Sequence, residues 1–234
     1  MSYKVAFAEI MGEYHKSEGA LCQDKTAYSI GERYACIALA DGAGSRVYSE
    51  IGAKIATTAV CEYFNAFSDI EAFKEDDFLD FITEKMKASD CLYYDLACTL
   101  LFVFVKGNTA LMGHIGDGYI FYTKDEYTEV ISYPENGEEK NITYFVTDED
   151  AAVHFRVQKM TINSNSTFLL TSDGGGDCLY SVIGNEPANA IRVFSDWLKS
   201  YDSQKVSRAI YNNLSEIGPT ITLDDLSVIE LFVE

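Results

Sequence analysis

The chain has 234 residues, 47% of them hydrophobic and 13% aromatic with only 3 prolines, which fits one packed core with no linker and excludes a disordered or low-complexity array. Its 18 basic and 37 acidic residues give a formal charge of -19, which sets aside a nucleic-acid backbone as partner. The cysteines at 22, 36, 61, 91, 98 and 178 form no CxxC pair, which argues against zinc, and no apolar run is long enough to span a bilayer; the expectation is a soluble cytoplasmic protein with no membrane partner.

Tyr3 to Met11 alternates as a first strand, broken by Glu9, and does not read as a signal peptide. Gly12 to Leu21 is polar and reads as a loop. Asp24 then enters a second strand, Lys25 to Ile30, and Tyr34 to Ala40 reads as a third. This third run closes on Asp41-Gly42-Ala43-Gly44-Ser45, so a buried strand hands a carboxylate to a turn poor in side chains. Taken alone, such an Asp is usually a turn residue, because it bonds its own backbone while Gly accepts positive φ.

Ile51, Ile55, Ala59, Tyr63 and Ala66 or Phe67 fall at helical spacing and predict a helix over Ile51 to Phe67. A second helix is expected over roughly Phe78 to Cys91, capped by Asp69 or by Asp76-Asp77. Cys98 to Lys106 is a strand that Gly107-Asn108 turns into Thr109 to Ile115. Asp117 follows in Gly116-Asp117-Gly118, and Tyr119 to Thr123 continues as another strand. His114 reads as a buried, bonded imidazole ahead of a catalytic one.

Ser132 to Lys140, with Pro134, Asn136, Gly137 and its glutamates, has the composition of a loop, and Val153 to Ile162 alternates as a half-exposed strand. The run Thr167 to Ser172 ends at Asp173. Asp177 lies four residues on and shares one side with it if Gly174 to Leu179 starts a helical turn. Glu186 to Leu198 and Ser203 to Leu214 have helical patterns, with Trp197 as a core aromatic, and Gly218-Pro219 breaks the chain before a last strand, Leu226 to Val233, entered from Asp224-Asp225.

Three apolar runs thus close on Asp41, Asp117 and Asp173, and a fourth opens from Asp224. In an antiparallel sheet the end of one strand lies beside the start of its neighbour, so all four are expected on one sheet edge. Crowded carboxylates repel unless protons or cations intervene, and hard divalent cations with oxygen ligands are the economical answer.

The order and spelling of these runs, from Gln23-Asp24 through Asp41-Gly42-Ala43-Gly44-Ser45, His114-Ile115-Gly116-Asp117-Gly118 and Asp173-Gly174 to Asp224-Asp225-Leu226, resemble the metal-dependent serine/threonine protein phosphatases of the PPM, or PP2C, family, and its small bacterial-type branch above all. The resemblance implies one domain over residues 1–234, of α+β class: a four-layer sandwich of two antiparallel sheets flanked by helices. It implies two or three Mn²⁺ or Mg²⁺ ions. Asp41 would bridge two of them with the Gly42 carbonyl as a further ligand, alongside Asp24, Asp173 and Asp224, while Asp117 and Asp177 serve an additional position and Asp225 supports from behind.

Two departures stand out. Relatives carry an Arg where this chain has Gly19, so His15, Lys16 or Arg46 is left to meet the substrate phosphate, and a His where this chain has Ala43. The implied activity is hydrolysis of phosphoserine or phosphothreonine by a metal-activated water on a phosphoprotein, in a monomer that opposes a cognate kinase. The two departures motivate an alternative, a catalytically silent module that binds a phosphorylated or regulatory partner. A plain acidic calcium-binding protein is a third reading, weakened by the lack of a helix-loop-helix calcium loop.

Overall fold

Residues 1–67, 69–137 and 143–234 are described by a computed structural model. The chain begins with β1 (Tyr3–Ile10), a short helix α1 (Glu13–Glu18), β2 (Lys25–Ile30) and β3 (Tyr34–Ala40). Two long helices follow, α2 (Ser49–Ala66) and α3 (Glu75–Lys87), then β4 (Leu100–Lys106), β5 (Thr109–Ile115), β6 (Tyr119–Lys124) and β7 (Tyr127–Ser132). The second half adds α4 (Ala151–His154), β8 (Arg156–Thr161), β9 (Ser166–Thr171), α5 (Asp173–Leu179) and a two-residue ladder of β10 (Tyr180–Ser181) with β11 (Glu186–Pro187). Helices α6 (Asn189–Ser200) and α7 (Ser203–Ile217) lead to β12 (Leu226–Val233).

The strands form two antiparallel sheets, one in the order β1-β12-β9-β6-β7 and the other β2-β3-β4-β5-β8. The inner strands β3, β4, β5, β9 and β12 read as nearly unbroken apolar runs because both of their faces are covered. Along β3, Ala35, Ile37 and Leu39 join Leu101, Val103, Phe168, Leu170 and Ile229 in the layer between the sheets. The alternate residues Cys36, Ala38 and Ala40 face α2 and α3. On the opposite flank, Ala6, Ala8, Phe121 and Val228 meet Ile191, Phe194, Val206 and Ile210 of α6 and α7. Phe64 of α2 stacks on Phe104 of β4 at 4.3 Å; burying one such ring contributes about 1.5–3 kcal/mol. The layers run helix, sheet, sheet, helix, as the resemblance implied.

Several boundaries differ from the sequence expectation. The stretch Gly12 to Leu21, expected as a loop, contains α1. Its 6 residues are too few to show a period, and it is held by tertiary bonds: the Gly12 N–H donates to Asp225 Oδ1 at 2.7 Å and the Tyr14 N–H to the Leu223 carbonyl at 3.0 Å. Asp69 caps a 3-10 turn at Ile70–Ala72 by accepting from the Glu71 N–H at 3.0 Å. Helix α3 itself starts at Glu75, with Asp76 and Asp77 in its first turn where the helix dipole favours them. Val153 to Ile162 divides into the end of α4 and β8. Glu186-Pro187 pairs with Tyr180-Ser181 because a residue before Pro is kept out of helical geometry. Strand β7, with few apolar residues, goes unseen in the sequence. Of the expected loop Ser132 to Lys140, Ser132 closes β7 and residues 138–140 lie outside the described residues. Among the described residues no helix is long and apolar enough to cross a membrane.

Candidate metal-binding cleft

The acidic sites come together at one end of the sandwich, but not on one sheet edge as expected. Asp24, Asp41 and Asp117 flank β2, β3 and β5 of one sheet, whereas Asp173 and Asp224 flank β9 and β12 of the other. The two sheets face each other across a cleft of about 270 Å³ lined by Asp41, Asp117, Asp173 and Asp224, with Gly42 and His15 beside them. A larger groove of about 450 Å³ lies by β11 and α6, around Glu126, Tyr127, Glu186 and Arg192; it gathers no comparable set of carboxylates.

Nonlocal bonds fix each acid. Asp41 donates its N–H to Thr99 Oγ1 at 2.9 Å and accepts the Thr99 N–H at 2.8 Å. The next two amides continue the stitching, Gly42 to the Gln23 carbonyl at 3.2 Å and Ala43 to the Ala97 carbonyl at 2.9 Å. Asp173 opens α5 and accepts the Gly174 N–H at 2.6 Å. A Cβ on Gly174 would stand 2.2 Å from the Asp225 carbonyl oxygen, so only glycine lets α5 lie this close to the start of β12. Asp225 is buried and ties three segments together: Oδ1 takes the Gly12 N–H, Oδ2 takes the Gln23 N–H at 2.6 Å, and His15 Nδ1 lies 2.9 Å from Oδ1. Its neighbour Asp224 is exposed and faces the cleft.

Burial and mutual repulsion shift several of these acids toward protonation. Burial, reinforced by the charges of Asp24, Asp173, Asp117 and Asp224, pushes Asp41 well above the usual carboxylate range. Burial, then the charges of Asp117 and Asp224, raise Asp173 to about 7, against hydrogen bonding from Asp41 and Gly174. Asp117 is raised by burial first, with the Asp224 charge adding to it. Asp24 lies fully buried behind the cleft; burial lifts it to about 8, the Ser172 hydroxyl nearby eases this, and Asp225 and Asp173 reinforce it. Among the described residues neither Asp24 oxygen has a hydrogen-bond partner at bonding geometry.

Other residues singled out in the sequence stand elsewhere. Asp177 is exposed, one helical turn from Asp173; partial burial, then the nearby Asp224 charge, raise its pKa against hydrogen bonding from Thr222, and it does not line the cleft. Arg46 lies with its guanidinium 3.5 Å over the Tyr94 ring, and exposed Lys16 pairs with Glu13 at 2.7 Å. His114 is buried, with Nδ1 2.7 Å from Ser132 Oγ and 3.0 Å from an Arg156 nitrogen; burial, then Arg156, push its pKa well below the usual range. The sequence reading missed Thr99, Thr143 and Phe145, which line the cleft through contacts that no local pattern announces.

The family model described as Protein phosphatase 2C matches residues 11–215. The chain belongs to this family. Among curated proteins, the chain is similar to Serine/threonine-protein phosphatase 3 of Escherichia coli (strain K12), 25% identical over 201 residues that cover 80% of this chain and 79% of that protein. Among solved structures, the serine/threonine phosphatase of S. agalactiae superposes with a TM-score of 0.71 at 14% identity, covering 100% of both chains. The Mycobacterium tuberculosis phosphatase PstP/Ppp gives 0.71 at 17% identity, also covering 100% of both. The catalytic domain of PstP in complex with 2 manganese ions gives 0.69 at 16% identity, covering 99% of this chain and 98% of that one. These likenesses establish the sandwich as the PP2C fold.

Hard divalent cations suit the donors of this cleft. The donors are oxygens, their charges oppose one another, and buried Asp24 holds two oxygens without partners. Among the described residues no three His, Cys, Asp or Glu side chains already close on a single point, so the acids converge on the cleft without forming a finished cage.

Proposed function

We propose that the chain is a single PP2C domain that hydrolyses phosphoserine and phosphothreonine in phosphoproteins, working at a cleft that holds two Mn²⁺ or Mg²⁺ ions. The observation that carries this reading is the meeting of Asp41, Asp117, Asp173 and Asp224 from both sheets in one cleft. Asp41, Asp173 and Asp224 with the Gly42 carbonyl would hold the central pair, Asp117 serves an additional position, and buried Asp24 acts from behind. Cations bound there supply charge neutralisation for the phosphoryl oxygens and a water acidified enough to attack at neutral pH. The protein's own part is placement: the Thr99 bonds hold Asp41, the Gly174 N–H holds Asp173, and Asp225 locks the Gly12–Gln23 segment over the cleft.

The test is hydrolysis of p-nitrophenyl phosphate and of a phosphothreonine peptide with Mn²⁺ and with a chelator. Metal-dependent turnover of both, lost in Asp41→Ala and Asp173→Ala, supports the reading; no turnover in the parent overturns it. A silent binding module remains the second reading because no Lys or Arg lines the cleft among the described residues. In that event the parent binds the peptide without releasing phosphate.

A further inference from the structure

The phosphatase reading leaves one step without a residue: the seryl or threonyl oxygen that leaves phosphorus must receive a proton. At the position after Asp41-Gly42 this chain has Ala43, which has none to give. Among the described residues that line the cleft, His15 is the one basic side chain. It comes from α1, an element far in sequence from the Asp-Gly turns, and the Asp225 bonds to Gly12 and Gln23 seat that element on the cleft.

The ring is oriented. Its Nδ1 is sealed from solvent 2.9 Å from Asp225 Oδ1, an ion-pair approach without hydrogen-bond alignment, and the Tyr14 ring lies 5.7 Å away at 59°. Nε2 is not among the buried unpartnered atoms and makes no hydrogen bond among the described residues, and the ring lines the cleft, which leaves Nε2 as the nitrogen free to meet a ligand there. A carboxylate on one imidazole nitrogen fixes which way the other points, the arrangement by which histidines are set for proton transfer. His114 shows the contrast. Its Nδ1 meets Ser132 and Arg156, its Nε2 is buried, and it does not reach the cleft.

We infer that His15, positioned by Asp225, is the general acid of the reaction. As water forms its bond to phosphorus, the P–O bond to the substrate side chain breaks with its electron pair on the leaving oxygen. The Nε2–H proton moves to that oxygen, and the neutral imidazole is recharged by a proton from solvent. The free hydroxyl of serine or threonine and inorganic phosphate are the products.

This inference rests on the phosphatase reading, and leaving-group dependence separates the two. p-Nitrophenolate leaves readily without a proton, whereas a serine alkoxide does not. His15→Gln should therefore lower kcat for a phosphoserine peptide about 10²-fold or more, and lower it for p-nitrophenyl phosphate at least tenfold less. Both substrates are read on the same enzyme preparation, so any loss of folded protein lowers both rates alike and cancels in their ratio. In His15→Ala, added imidazole should restore peptide turnover. Equal losses on both substrates, or a raised KM with unchanged kcat on the peptide, overturn the inference and make His15 a phosphate contact or a packing residue. If the parent hydrolyses neither substrate, the phosphatase reading itself fails.

Discussion

Two buried carboxyl groups, Asp24 and Glu230, are each lifted to about 8 by burial, yet they sit in opposite settings. Asp24 lies behind the cleft with further acids, Asp225 and Asp173, adding to its rise. Glu230, midway along β12, is sealed against α6: Ser195 Oγ donates to Oε1 at 2.6 Å, Thr167 and Ser195 hydroxyls lie 2.7 Å apart, and the Lys199 charge favours ionisation. Glu230 finds a hydroxyl on Oε1 and a lysine charge nearby, although its Oε2 has no hydrogen-bond partner among the described residues, whereas Asp24 has neither oxygen bonded and further acids as neighbours. A shifted carboxyl is therefore not itself a functional mark; the sign of its neighbours is.

The contrast breaks first on activity. Asp41→Ala or Asp173→Ala should cost about 10³-fold or more in kcat/KM at saturating Mn²⁺, since several kcal/mol of transition-state stabilisation go with the cations, while Glu230→Gln should change it by less than about threefold. A comparable loss in all three would erase the distinction. The second measure is thermal. Mn²⁺ at 100 times its Kd should add about 2.7 kcal/mol and raise Tm by roughly 5–10 °C, an increment that Glu230→Gln keeps and Asp41→Ala loses.

The third is the pH dependence of stability. The folded-state pKa of Glu230 is raised above its ordinary 4.5 to about 8, so the folded protein holds a proton that the unfolded chain has shed. The stabilisation tied to that proton is whole below the unfolded value and is lost as pH rises through about 8. With Mn²⁺ present to settle the cleft acids, urea denaturation should show Glu230→Gln gaining on the parent between pH 5 and pH 9, by a few kcal/mol in order of magnitude. A gap that stays constant with pH would show that Glu230 is ionised throughout.

How much of this was legible depends on how local its cause is. Strands β3 and β12 could be read almost to the residue, because their apolar runs stop at Asp41 or start after Asp225 and both faces are buried, while β2, half-exposed along its length, is legible from its bounds at Asp24 and Gly31. The acids that end those runs could be read for the same reason. That they belong to two facing sheets could not, since a period of two residues says which side a residue takes but not which sheet it joins. Asp224 and Asp225 show a finer limit. Successive residues of an extended chain point to opposite sides, so one reaches the cleft and the other reaches Gly12, Gln23 and His15. Helix α1 and the Thr99 clasp are made by partners distant in sequence, and no window of ten residues contains them. Gly19 is intelligible only afterwards: it ends α1 at φ +66°, a conformation that a side chain such as Arg rarely adopts.

The smallest effect tests where the cleft ends. Arg46, four residues past Gly42, is half-buried on Tyr94 near Asp148 and does not line the cleft. Stacking of this kind is worth about 0.5–1 kcal/mol, so Arg46→Ala should lower Tm by about 2 °C. Its kcat/KM for p-nitrophenyl phosphate should stay within about twofold of the parent, because a small substrate engages the acids and His15 without reaching the rim. A tenfold rise in KM for that substrate would instead move the phosphate-binding charge to Arg46. It would mean that the guanidinium leaves Tyr94 when substrate binds, and that the positive charge lacking at Gly19 is supplied from the turn after Asp41.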